Sequence, residues 1–152
     1  MGLNQQRRED WDLDFVAGEK RPFIPEGRYV AQCIGCSKGQ SHYNSLKLYL
    51  TFKIIDGEFM SEELFMAMNL INSRTKQPFK KIPAGSKYYK NWSIANNNNR
   101  PNRCDRMSPR IFQNKIFEIS VRTVKPKYPD GNNELPEVFQ YSVVDFLIRR
   151  LP

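Results

Sequence analysis

SLKLYLTFKIIDGEFMSEELFMAMNL, Ser45 to Leu70, repeats with a period of two. Leu46, Leu48, Leu50, Phe52 and Ile54 alternate with Lys47, Tyr49, Thr51, Lys53 and Ile55, the spacing of a half-buried β-strand and not of a helix. Asp56-Gly57 follows, the dipeptide that supplies positive φ in a two-residue hairpin turn. Glu58 to Leu70 then returns as a second strand with Leu64, Met66, Met68 and Leu70 on one side. The pair is apolar beneath and basic-aromatic above. Such a face suits a nucleic-acid strand, because phosphates attract lysines and every base can stack on a ring. A merely solvated strand face is the plainer reading of this hairpin alone, so the rest of the chain has to weigh in.

Upstream, Pro22, Pro25 and Glu26-Gly27 punctuate the approach to a strand over Arg28 to Cys36. Neither face of that strand is polar, which predicts a central position in the sheet. Lys38 to Asn44 reads as a turn-rich loop. Downstream, Asn72 to Ala84 reads as a basic loop with Pro78 and Pro83. Ser86 is placed to N-cap a short helix whose Tyr88, Tyr89, Trp92 and Ala95 form an apolar stripe, ending at Asn96 to Asn99. Ser108-Pro109 opens one more turn anchored by Ile111 and Phe112. Lys115 to Lys125 alternates again, with Phe117, Ile119 and Val121 opposite Glu118, Ser120 and Arg122. Pro126 to Glu137 reads as a long hairpin arm, Val138 to Val144 as a fifth strand, and Asp145 to Leu151 as a tail or terminal helix.

The 152 residues suffice for one domain with a real core. Residues 1–21 read as an acidic, aromatic arm, in which Glu9, Asp10, Asp12 and Asp14 interleave with Trp11, Leu13 and Phe15; residues 22–152 read as the domain proper. The net charge is +8, and its distribution is uneven. Between Ile71 and Tyr128 fourteen basic residues face only Asp105 and Glu118, a balance of +12 that leaves −4 for the remainder. Concentrated positive charge points to a polyanion partner. Three cysteines, an odd number, argue against a disulfide framework and for a reducing compartment. No apolar run reaches the ~20 residues of a membrane span. The expected location is the cytoplasm.

Five strands, with a helix between the third and fourth and a long arm between the fourth and fifth, predict a mainly β fold. The order is that of an OB-fold-like Greek-key barrel, in which the second and third strands and the loops after strands one and four bind oligonucleotides. Those places hold Lys47, Tyr49 and Lys53; Lys38, His42 and Tyr43; and Lys125, Lys127 and Tyr128. Arg122 projects outward from strand four, and Arg74, Lys76, Lys80 and Lys81 crowd the basic loop. These residues are the candidate nucleic-acid contacts: the cations for phosphates, Tyr49 and Tyr128 for bases. Tyr88, Tyr89 and Trp92, at helical spacing, fit core packing better than stacking.

Several segments together carry a resemblance: Trp11-Asp-Leu-Asp-Phe15, Ile24-Pro-Glu-Gly-Arg-Tyr29, Leu48 to Phe59, Ser86-Lys-Tyr-Tyr-Lys-Asn-Trp-Ser-Ile-Ala95 and Tyr141-Ser-Val-Val-Asp145. The chain resembles the small OB-fold single-stranded DNA-binding proteins of phages and integrated mobile elements. That likeness implies sequence-tolerant binding of single-stranded DNA in replication or recombination, with replication or recombination proteins as further partners. One departure stands out. Cellular single-stranded DNA-binding proteins typically end in an acidic tail that recruits partners, whereas this sequence ends Ile148-Arg-Arg-Leu-Pro152, so the resemblance does not extend to recruitment of that kind.

Other chemistries find little support. Cys33 and Cys36 have the spacing of a zinc or redox pair, but residues three apart in a strand are expected to diverge, and no second pair exists. His42 is the only histidine and has no carboxylate pair beside it in the sequence. There is no nucleophile motif, phosphate-cradling glycine loop or aspartate cluster. The expectation is a binding protein, not an enzyme, without cofactor or metal. Two rivals use the same charges and rings: an RNA-binding OB domain, and an interaction protein that inhibits or recruits a host nucleic-acid enzyme.

Overall fold

The computed structural model describes residues 21–40, 46–72 and 74–152. Five antiparallel strands, β1 (Gly27–Gln40), β2 (Leu46–Ile54), β3 (Glu63–Asn69), β4 (Ile116–Val124) and β5 (Tyr141–Leu151), form one sheet in the order β3-β2-β1-β4-β5. A single α-helix among the described residues, α1 (Lys87–Ala95), lies between β3 and β4, followed by a short 3-10 turn at Pro109–Phe112. The protein is mainly β.

The expected alternation is the observed one. Leu48, Leu50, Phe52 and Ile54 of β2, Leu64, Met66 and Met68 of β3, and Phe117, Ile119 and Val121 of β4 are buried. Their neighbours on the other face stay half-exposed. β1 is central in the hydrogen-bonded order, as expected, although only Ala31 and Cys33 of it are buried. It serves two partners in succession, pairing Gly27 to Gln32 with β4 and Ala31 to Gln40 with β2. A register shift between Cys33 and Gly35 marks the hand-over; an extra residue at such a point increases local bend and twist. The curvature brings the two ends of the strand order together. Phe65 of β3 stacks on Tyr141 of β5, with ring centroids 6.5 Å apart and planes at 30°.

α1 closes one end of the core. Ser86 Oγ accepts the Tyr89 amide at 3.2 Å, the N-cap expected from the sequence. Tyr88 and Ala95 are buried, and Tyr88 joins a line of rings through Phe112 and Phe117 to Phe52. The phenolic hydroxyl of Tyr88 donates to the Met107 carbonyl, and Trp92 Nε1 donates to the Ser108 carbonyl, so both residues belong to the packing. Asn91, buried on the same side, accepts the Leu147 amide at 2.8 Å and donates to the Lys87 carbonyl at 2.9 Å, which ties the helix to β5. Arg150 donates to the Ala95 carbonyl at the helix C-terminus, where a cation also complements the helix dipole.

Four expectations about local structure are corrected. Asp56-Gly57 does not make a two-residue hairpin: β3 begins at Glu63, and Ser61 and Glu62 complete a longer loop by bonding Ile54 from both sides. Gly57 and Ser61, both at positive φ, set its turns. Lys38 to Gln40 are strand and not loop, because β2 is long enough to pair with them; residues 41–45 lie outside the described residues. The segment after Val144 is neither tail nor helix. It continues β5 to Leu151, held by β4 as far as Ile116. Finally, Cys33 and Cys36 do not fall on opposite faces, although Cys33 is buried and Cys36 exposed. The register shift sets Cys33 opposite Phe52 and Cys36 opposite Leu50, two inward residues, and both thiols border one cavity beside Phe112.

Candidate nucleic-acid interface

The outer faces of β2 and β3 do not form a flat platform. Where the β3 and β5 edges meet, they enclose an open cleft of about 1130 Å³. Tyr49, Phe65 and Tyr141 are among its lining residues, their rings in successive contact. Tyr49 meets Phe65 edge to face at 6.0 Å, and Phe65 meets Tyr141 at 6.5 Å.

Four cationic side chains line the cleft: Arg21, Lys47, Lys87 and Arg122; one carboxylate, Glu63, joins them. The fold places each cation for a definite reason. Lys47 and Tyr49 occupy alternate positions of β2, so both project from the face opposite the core. Arg122 stands on the outward face of β4, where Asp145 of β5 accepts from its Nε at 3.1 Å. Lys87 is the first residue of α1. Removal from water holds its ammonium below the ordinary lysine range, an effect that Asp145 partly offsets and Arg122 reinforces. Arg21 arrives through the segment before β1. Ile24 is buried and its amide donates to Ser142 Oγ at 2.8 Å, the hydroxyl donates back to the Ile24 carbonyl, and the Ser142 amide donates to the Pro22 carbonyl. This clip fixes the backbone next to β5, and the Arg21 guanidinium comes to lie 4.7 Å from the centre of the Tyr141 ring, a cation–π contact.

The candidate residues read from the sequence are divided by the structure. Lys47, Tyr49 and Arg122 line the cleft. Lys53 lies on the same face of β2 but beyond the cleft and directly opposite Glu63, which opposes its charge. Lys38 is exposed near the end of β1. Lys125, Lys127 and Tyr128 are exposed on the arm between β4 and β5, where an antiparallel backbone pairing of Lys127 with Glu134 makes the expected hairpin. Arg74, Lys76, Lys80 and Lys81 form a separate exposed patch on the loop after β3. His42 and Tyr43 lie outside the described residues. Phe65, Tyr141, Lys87 and Arg21 are the cleft residues that the sequence reading left out. Phe65 was visible as the outward neighbour of Leu64 and Met66; the other three depend on β5 folding back against β3.

No group of three or more histidine, cysteine or acidic side chains is arranged to hold a metal ion among the described residues. No helix among them is long and apolar enough to cross a membrane. Burial pushes the Cys33 thiol up to about 11 and raises Cys36 as well, the reverse of what a reactive thiolate needs. No family model matches the sequence, and no curated protein matches it either.

Proposed function

We propose that this protein binds single-stranded DNA with little sequence preference, through the cleft between β3 and β5, on an OB-fold-like Greek-key barrel. One observation carries the reading: three aromatic rings in successive contact, in an open cleft edged by four cations. Bases stack on Tyr49, Phe65 and Tyr141, since every base has a π-face and stacking tolerates any sequence. Lys47, Lys87, Arg122 and Arg21 neutralise the phosphates between them. The strand order, with β3 returning against β5, supports the barrel. The net charge of +8 favours encounter with a polyanion. Service in phage or mobile-element replication or recombination follows from the resemblance described above, and the partners would be proteins of those processes.

The test is a titration of labelled oligo(dT), matched oligo(rU) and duplex DNA at several salt concentrations. Single-stranded DNA should bind best, and affinity should fall by about 0.7 log units per tenfold salt for each phosphate neutralised. Equal or better binding of the RNA would reassign the ligand to RNA. Affinity that is undetectable at low salt, or independent of salt, would remove the electrostatic basis of the reading.

A further inference from the structure

The clip between Ile24 and Ser142 has a topological consequence: the chain enters the domain at the cleft itself. Arg21 is a cleft residue, in contact with Tyr141. Upstream of it, beyond Glu19 and Lys20 and after Arg7 and Arg8, Glu9 to Gly18 holds Glu9, Asp10, Asp12 and Asp14 and no basic residue, with Trp11, Leu13 and Phe15 among the acids. Negative charges alternating with rings are also what a single-stranded nucleic acid presents. The cleft offers four cations and a row of rings, against Glu63 in its lining and Asp145 paired with Arg122 at its edge.

We propose that the segment Glu9 to Phe15 docks in this cleft and competes with nucleic acid for it. The proposal rests on reading the cleft as the nucleic-acid site, and it concerns how that site is regulated. Distance permits it. Phe15 is six residues from Arg21, a span of up to ~20 Å, whereas the rings step from Tyr141 to Phe65 to Tyr49 in intervals of 6.5 and 6.0 Å. The segment matches the cleft in kind: its acids suit the cations Lys47 and Lys87, and its rings suit Tyr49, Phe65 and Tyr141. A short tether holds the segment at an effective concentration of about 1 mM. A contact with a dissociation constant of roughly 0.2 mM is then occupied about five-sixths of the time, and apparent DNA affinity drops about sixfold. Salt weakens both the docking and the competition.

The decisive variant is full-length protein carrying Trp11→Ala and Phe15→Ala, which leaves net charge unchanged. Oligo(dT) affinity is measured at low and high salt, together with the NMR resonances of Tyr49, Phe65 and Tyr141 in the free protein. Docking predicts DNA binding about three- to sixfold tighter than wild type at low salt, a smaller gain at high salt, and displaced cleft resonances. Unchanged affinity with unmoved resonances overturns the proposal while leaving the DNA-binding reading intact. A lowered melting temperature with unchanged affinity also overturns it, because the segment then packs elsewhere on the domain. If neither protein binds DNA yet the cleft resonances move, docking stands and the DNA-binding reading falls.

Discussion

Ser142 Oγ bonds Ile24 twice, accepting its amide at 2.8 Å and donating to its carbonyl at 3.0 Å, across 118 residues of chain. Both residues are buried, so neither backbone group has water to fall back on. Ser142→Ala leaves the Ile24 amide and carbonyl unpaired, at a cost of about 1–3 kcal/mol. Chemical denaturation should show a lower midpoint at an unchanged slope. Because the clip sets Arg21 over Tyr141, the variant should also lose one phosphate contact from the salt dependence of DNA binding. A midpoint equal to wild type would mean that the lead-in to β1 is held by Ile24 packing alone.

Arg122 is partnered before any ligand arrives. Its bond to Asp145 is half-exposed, and an ion pair in that setting contributes only ~0–1 kcal/mol to stability. A phosphate has to displace Asp145 or share the guanidinium with it. Asp145→Asn removes that competition with little effect on the melting temperature. The expected result is tighter binding of single-stranded DNA and a salt slope steeper by about 0.7. Arg122→Ala should do the opposite. Should Asp145→Asn weaken binding, Asp145 orients Arg122 for the phosphate and does not withhold it.

Much of this arrangement was legible from alternation. Leu48, Leu50 and Phe52 inward fixed Lys47 and Tyr49 outward, and β4 placed Arg122 by the same rule. Ser86 announced α1, and the lack of a polar face announced a central β1. The misses share a cause: each depends on contacts between distant segments. Asp56-Gly57 looks like a tight turn locally, yet the Ile54 hydrogen bonds to Ser61 and Glu62 postpone the return. Asp145 to Leu151 lacks a strict period because β4 and β5 slip register twice against each other, so its strand character is invisible to pattern reading. The same slippage makes Cys33 and Cys36 of β1 instructive, since one extra residue reverses the facing rule. Tyr141 and Lys87 enter the cleft only through the fold-back of β5 on β3 and α1.

Cys33 gives a pH signature. Burial is the main reason that its thiol is pushed up to about 11 from 9.0. The unfolded chain therefore releases this proton first. Stability from Cys33 is fully present below pH ~9 and is lost as pH rises towards 11. Lys87, whose pKa is depressed, contributes with the opposite sign over the alkaline range, so the measurement has to be differential. Comparing wild type with Cys33→Val at each pH cancels the lysine. The wild type should lose more stability between pH 9 and 11. In native protein at pH 8, mass spectrometry should find the exposed Cys36 alkylated well before the buried Cys33. Simultaneous labelling would show that the strand pair opens at the register shift.

Phe65 offers the sharpest test of the cleft, because it touches both of the other rings. It is only half-buried and projects away from Leu64 and Met66, so truncation leaves no core cavity. Phe65→Ala should weaken oligo(dT) binding by about 1–3 kcal/mol, the worth of one stacked base. Tyr49→Ala and Tyr141→Ala should each cost a similar amount, but combinations with Phe65→Ala should fall short of additive, as expected for neighbours that share a ligand and contact each other. Lys53→Ala is the matched control on the same strand. It stands opposite Glu63 and outside the cleft, so its effect on affinity should be small and its salt slope close to wild type. If Lys53→Ala and not Phe65→Ala carries the loss, the strand runs along the far end of β2 and the three rings serve only to hold β3 against β5.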